Sequence, residues 1–155
     1  MSQIIYSPHP IPASSLPKIF LSGSIDNGQA VDWQTRLCNV CAELEAIFLN
    51  PSRPDWDSTW EPVKSNPLFR EQVSWELDNL EQADLIVVYI TADSKAPITL
   101  LELGLHARQP NLIVCCEEGF WRKGNVDIVC ERYGIKQVEN FDGLVELIQA
   151  HIGKG

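Results

Sequence analysis

Cations are scarce in this chain of 155 residues: 12 Lys and Arg stand against 21 Asp and Glu, a formal net charge of -9. Surfaces that track phosphates draw their affinity from clustered cations, so this balance argues against DNA or RNA as partners. Long apolar runs are missing too. No run approaches the roughly 20 residues of a membrane span, and the opening "MSQIIYSPHPIPASSLPK" lacks both a basic n-region and an apolar h-region. No membrane partner is expected, and the expected location is the cytoplasm. With three histidines in the chain, the E-x3-H spacing of Glu102 and His106 has no obvious third ligand, so no metal is expected and His106 reads as a surface or packing residue. Five cysteines, an odd number, suit a reduced compartment better than a disulfide framework. Cys38 and Cys41 form a C-x2-C inside a helical pattern with no second pair downstream, and they read as small buried thiols, as do Cys115, Cys116 and Cys130. Also absent are a G-x-G-x-x-G, a phosphate loop and a G-x-S-x-G elbow, which removes support for dinucleotide, nucleoside triphosphate and serine-triad chemistry.

What is present is an alternation. Short β-rich runs, "KIFLSG" (18–23), "AIFLNP" (46–51), "DLIVVYI" (84–90), "NLIVCC" (111–116) and the weaker "QVENF" (137–141), alternate with helical periodicity near 31–45, 67–82, 97–109, 125–133 and 141–152. Continuous apolar strands separated by helices predict a five-stranded, mainly parallel sheet with helices on both faces, a single-domain three-layer α/β sandwich of flavodoxin or Rossmann type. Residues 1–17, rich in Pro and Ser, read as an irregular leader before a domain spanning 18–155, and 51–66 as a long functional loop. Ligands of such sheets bind beyond the carboxyl ends of the strands. That places "SGSIDNG" after the first of these runs, including Ser22 and Gly23, and "NPSRPDWDSTW" after the second, at a candidate cleft.

Two acids stand out. Glu102 sits among leucines in "APITLLELGLHARQ", with Ile98 and Leu105 at helical spacing on its face. Glu76 falls within the stripe Phe69, Val73, Leu77 and Leu80 of "NPLFREQVSWELDNLEQA". A carboxylate taken from water needs a partner or a function. Two carboxyl groups in different environments can divide labour, one ionised beneath an anomeric carbon and one protonated beside the leaving group, which is the chemistry of glycosidic-bond cleavage. The alternative is a pair of structural acids satisfied by neighbours. Asp55, Trp56, Asp57 and Trp60 in the long loop offer a stacking surface and carboxylates for a planar base, or else a loop pinned by its own tryptophans.

The order "IFLSGSI", "NPSRPDWD", "WELDNLEQADLIVVYI", "LLELGLHA" and "KGNVDIVCERYG" resembles the nucleoside 2-deoxyribosyltransferases, and more closely their nucleoside 2-deoxyribosyltransferase-like branch. The resemblance implies a cofactor-free exchange of nucleobases, as in nucleotide salvage, with a nucleoside and a free base as partners. It places the nucleophile at Glu102 and the base-side acid at Glu76. It likens Asn125 to an asparagine lent by a neighbouring subunit, which implies a homo-oligomer. The candidate substrate-binding set is Ser22, Gly23, Asp55, Trp56, Asp57, Phe69, Gln72 and Asn125. Two positions depart from the pattern: Ala96 stands where the family often has an aspartate, for which Asp93, Asp55 or Asp57 could substitute, and Phe20 stands where many members have a tyrosine that orients the glutamate. Hydrolysis of the N-glycosidic bond of a nucleoside or nucleoside monophosphate, and nucleoside binding without turnover, are the alternative outcomes.

Overall fold

A computed structural model describes residues 1–23 and 32–153; the loop expectation for 24–28 falls outside them. Six strands form one sheet in which every pairing is parallel. They are β1 (Gln3–Tyr6), β2 (Lys18–Gly23), β3 (Ile47–Asn50), β4 (Leu85–Ile90), β5 (Leu112–Cys116) and β6 (Lys136–Val138), in spatial order β1-β3-β2-β4-β5-β6. The helices are α1 (Trp33–Val40), α2 (Pro67–Gln82), α3 (Pro97–His106), α4 (Lys123–Tyr133) and α5 (Phe141–Ile152). The sandwich is as expected, with one strand more. The segment read as an irregular leader contributes β1, which pairs with β3 from Gln3 opposite Ile47 to Tyr6 opposite Asn50. Its β-branched pair Ile4 and Ile5 was the signal, masked by the prolines that follow.

Alternation along the strands divides the core in two. Ile19 and Leu21 of β2, with Leu85, Val87 and Tyr89 of β4, pack under α1 and α5 against Trp33, Leu37, Phe141 and Leu144. Phe20, Ile86, Val88 and Ile90 face the other way, under α2, α3 and α4, with Trp75, Leu80, Leu103 and Val126. All five cysteines are free and buried in these layers, as the pattern suggested. Because β3 lies on one side of β2 and β4 on the other, the chain changes direction between β2 and β4. Doubly wound sheets open a cleft at the carboxyl ends of such a strand pair.

The helix faces differ from expectation. On α2 the buried side chains are Gln72, Trp75, Asn79 and Leu80, while Leu77, assigned to the apolar stripe, is exposed. On α3 they are Thr99, Glu102, Leu103 and His106, and Ile98 and Leu105 point outward. α3 thus turns its more polar side toward the sheet, while α2 buries two amides beside Trp75 and Leu80 and keeps its charged residues other than Glu76 exposed. On that side the ring centroids of Phe20 and Trp75 lie 6.2 Å apart.

Candidate active site

Glu102 projects from the middle of α3 and is 8% exposed. Its Oε1 accepts a hydrogen bond of 2.8 Å from Ser22 Oγ, at the end of β2. Ser22 lies two residues after Phe20 on the same side of the strand, so its hydroxyl is aimed at α3. Burial pushes the Glu102 carboxyl up to about 7, and the serine hydroxyl opposes that rise by supporting the ionised form.

Glu76, on the facing side of α2, is partly buried. Loss of water raises its carboxyl to about 8; the nearby charge of Glu102 adds to the rise, and a hydrogen bond from Gln72 works against it. The two acids are therefore close enough to feel each other, and they titrate as a pair. The shorter hydrogen bond, 2.8 Å from Ser22 to Glu102 against 3.4 Å from Gln72 to Glu76, favours placing the charge of the singly ionised pair on Glu102. That is the division of labour a bond-breaking site requires.

Gln72 joins this pair to the far edge of the sheet. Its Nε2 donates to the carbonyl of Pro51 at 2.9 Å and to Glu76 Oε1 at 3.4 Å, and its Oε1 accepts from Ser7 Oγ at 2.5 Å. Ser7 was not among the sequence candidates. Trp75 Nε1 donates to the carbonyl of His9 at 2.9 Å, fastening the same segment to α2.

Other candidates are placed differently. Gly23 is glycine for a packing reason: a Cβ there would come within 2.3 Å of the Trp33 indole and 2.7 Å of the Tyr89 carbonyl. Phe69 is partly buried in the first turn of α2. Asp55 is held by Arg53, with Nε to Oδ1 at 2.8 Å, and this hydrogen bond keeps its carboxyl below the usual range. Asp57 Oδ1 accepts from Thr59 N and Oγ1 at 2.8 and 2.7 Å. Trp56 and Trp60 meet edge to face at 5.0 Å. The loop is thus pinned by its own residues, and among the described residues no hydrogen bond links Asp55, Trp56 or Asp57 to either glutamate. Asn125 is exposed on α4, in a groove of about 350 Å³ lined also by Leu100, Leu103, Trp121 and Val126. His106 is buried, with Nδ1 3.0 Å from Gln109 Oε1, which makes it a packing residue. Among the described residues no group of three or more His, Cys, Asp or Glu is placed to hold a metal.

Ala96 closes the loop before α3 in the left-handed region, at φ 50° and ψ 46°. An alanine there is strained, and the following Pro97 explains why the ordinary helical region is avoided. Its small buried side chain leaves the start of α3 without a side-chain cap.

The fold and the family follow from comparison. The crystal structure of a conserved protein from Enterococcus faecalis V583 superposes with a TM-score of 0.63 at 12% identity, over 88% of this chain and 99% of that one, which bears on fold alone. No curated protein matches the chain. The family model described as "Nucleoside 2-deoxyribosyltransferase like" matches residues 16–120. That span runs from the approach to β2 to the turn before α4, taking in both acids and Ser22 while leaving out Ser7 and Asn125. With more than half of its length matched, and with the paired acids inside the match, the chain belongs to the nucleoside 2-deoxyribosyltransferase-like family.

Proposed function

We propose that the protein exchanges the base of a 2'-deoxyribonucleoside through a covalent glycosyl-glutamate intermediate. The observation that carries this reading is the pair of facing acids, Glu102 held by Ser22 and Glu76 held by Gln72, both pushed up by burial. In the first step Glu102 forms a bond to C1' as the bond from C1' to the base nitrogen breaks. The electron pair leaves on the base, which takes the Glu76 proton. A second base then attacks C1', frees the Glu102 carboxylate and returns a proton to Glu76. Ser22 does the positioning expected of the missing tyrosine: its hydroxyl fixes one carboxylate oxygen and leaves the other for the sugar.

The groove around Asn125 supports an assembled site. Ile98, Leu101 and Leu105 on α3 are 57%, 59% and 56% exposed, and Trp121 and Ile128 flanking Asn125 are 54% and 67% exposed. A neighbouring copy covering this face would bring its own Asn125 toward the sugar's 5' end, in the manner the family resemblance implies. The substrates are then a nucleoside and a free base, in keeping with the acidic surface.

The test incubates the protein with a purine deoxyribonucleoside and a different free base, then separates the products. A new nucleoside is the expected result. Free sugar without exchange would replace transfer by hydrolysis, and binding with neither product would leave a nucleoside-binding module.

A further inference from the structure

We infer that Ser7, on the N-terminal segment outside the family-matched residues, is a positioning residue that holds Gln72 against the base-side acid Glu76. The inference rests on the reading of Glu76 in the proposed function. Ser7 is fully buried. Its backbone N–H donates to the Asn50 carbonyl at 3.0 Å, directly after the Tyr6 and Asn50 pairing, so the register of β1 on β3 sets where its hydroxyl lies. That hydroxyl donates to Gln72 Oε1 at 2.5 Å.

The carboxamide of Gln72 has one acceptor and two donors to place in a buried site. Pro51 offers a carbonyl, which accepts only, so the amino end must face it, at 2.9 Å. The amino group's second proton is then directed at Glu76 Oε1, at 3.4 Å. This leaves Oε1 needing a donor, and Ser7 supplies it. A buried amide oxygen stripped of its donor turns to find another. Turning swings the amino group off Glu76, or lets Oε1 accept from the protonated acid. Either movement removes support from ionised Glu76. Among the described residues the titratable group whose charge acts on Glu76 from another element is Glu102 on α3; Ser7, Gln72 and the Pro51 carbonyl are neutral, so this relay of hydrogen bonds acts through dipoles alone.

The family match begins at residue 16, so the contact comes from an edge strand outside the matched residues and reaches the acid through one intermediary. The segment has a second tie to the same helix, the bond from Trp75 Nε1 to the His9 carbonyl, which holds it in place when the Ser7 hydroxyl is removed.

The experiment labels glutamate side chains with 13C in the full chain and follows the Glu76 and Glu102 carboxyl signals together against pH. Ser7→Ala and Gln72→Met are each expected to raise the Glu76 midpoint by about half a pH unit or more, the size expected for loss of one hydrogen bond to the charged form. The double variant is expected to go no further than Gln72→Met alone, because Ser7 acts through Gln72. Ser7→Cys, a weaker donor of similar size, is expected to give a smaller shift and provides a folded comparison if the alanine variant is unstable. An unmoved Glu76 midpoint in a folded Ser7 variant, or shifts that simply add in the double variant, would overturn the assignment. The titration needs no turnover, so it stands apart from the fate of the transferase reading. If exchange is observed, the alkaline limb of kcat/KM should move up in Ser7→Ala by the same interval as the Glu76 signal.

Discussion

A carboxylate in a place that resists its charge is the central physical fact at the level of single residues. Glu76 and Glu102 both titrate above the ordinary carboxylate value of 4.5, chiefly because burial removes their water. In the window between that value and about 8, the folded chain keeps protons that the unfolded chain has released. Stability therefore falls as pH rises through this window. Glu76→Gln removes one of the two costs. It is expected to raise Tm relative to the parent above pH 8, with the advantage shrinking toward pH 4.5, as thermal melts across that range would read. A Tm difference independent of pH would mean that Glu76 is not held protonated. Under the proposed function kcat/KM is expected to be bell-shaped, its two limbs set by the two ionisations of the pair and both lying above the ordinary carboxylate range. Glu102→Gln keeps the Ser22 contact and the volume but loses the charge beneath C1', so exchange should drop at least about a hundredfold with the far-ultraviolet circular dichroism unchanged. Near-normal exchange in that variant would move the nucleophile elsewhere.

At the level of elements, what could be read from the sequence depended on which force decided each position. The five runs from β2 onward and the five helices were legible because apolar periodicity and flanking turns set their type. The helix faces were not legible. Leu77 on one helix and Ile98 and Leu105 on the other suggested buried stripes, yet α2 and α3 are turned by Trp75, Leu80 and Leu103 together with buried polar groups, and this is a tertiary choice that no local pattern records. Glu102 was thus singled out for a partly mistaken reason: the neighbours that suggested its face, Ile98 and Leu105, are exposed, those buried with it at helical spacing are Thr99 and His106, and Ser22, far away in sequence, is what receives it. Gln72 and Glu76 shared a helix and could be proposed together, whereas Ser7 could not be tied to them before the β1 to β3 pairing was seen. The angle at which α2 presents both residues depends on its first turn, where Asn66 Oδ1 accepts from Leu68 N at 3.1 Å and Phe69 N at 3.4 Å. Asn66→Ala is expected to cost about 1 kcal/mol in chemical denaturation, and Asn66→Asp to restore most of it, since aspartate caps as well and adds a favourable charge at the helix start. A loss equal in both variants would show that the cap's worth lies in its bond to the Glu61 carbonyl at 3.2 Å, which only an amide can donate.

At the scale of the whole molecule, the outward leucines and the inward acids are two sides of one arrangement. A helix that spends its inward face on Thr99, Glu102 and His106 must put its remaining apolar side chains outside, and α3 does so beside the exposed Trp121 and Ile128. Exposed apolar side chains gathered on adjoining elements are the kind of surface that protein–protein contacts use. A symmetric pair would cover it with the same surface of a second copy. Under the proposed function that pairing also completes the site, since Asn125 lies in this region and would reach the partner's sugar pocket. Two measurements check it. Leu101→Glu, a charge set into the middle of the face, is expected to shift the protein toward monomer by light scattering and to lower exchange while leaving Glu102 and Ser22 intact. Co-refolding Glu102→Ala with Asn125→Ala subunits is expected to restore activity above that of either variant alone, because each mixed pair builds one pocket with both residues present. A fully active monomer, or a mixture no better than its parts, would mean that the pocket is built within one chain and that the apolar face of α3 and α4 serves some other contact.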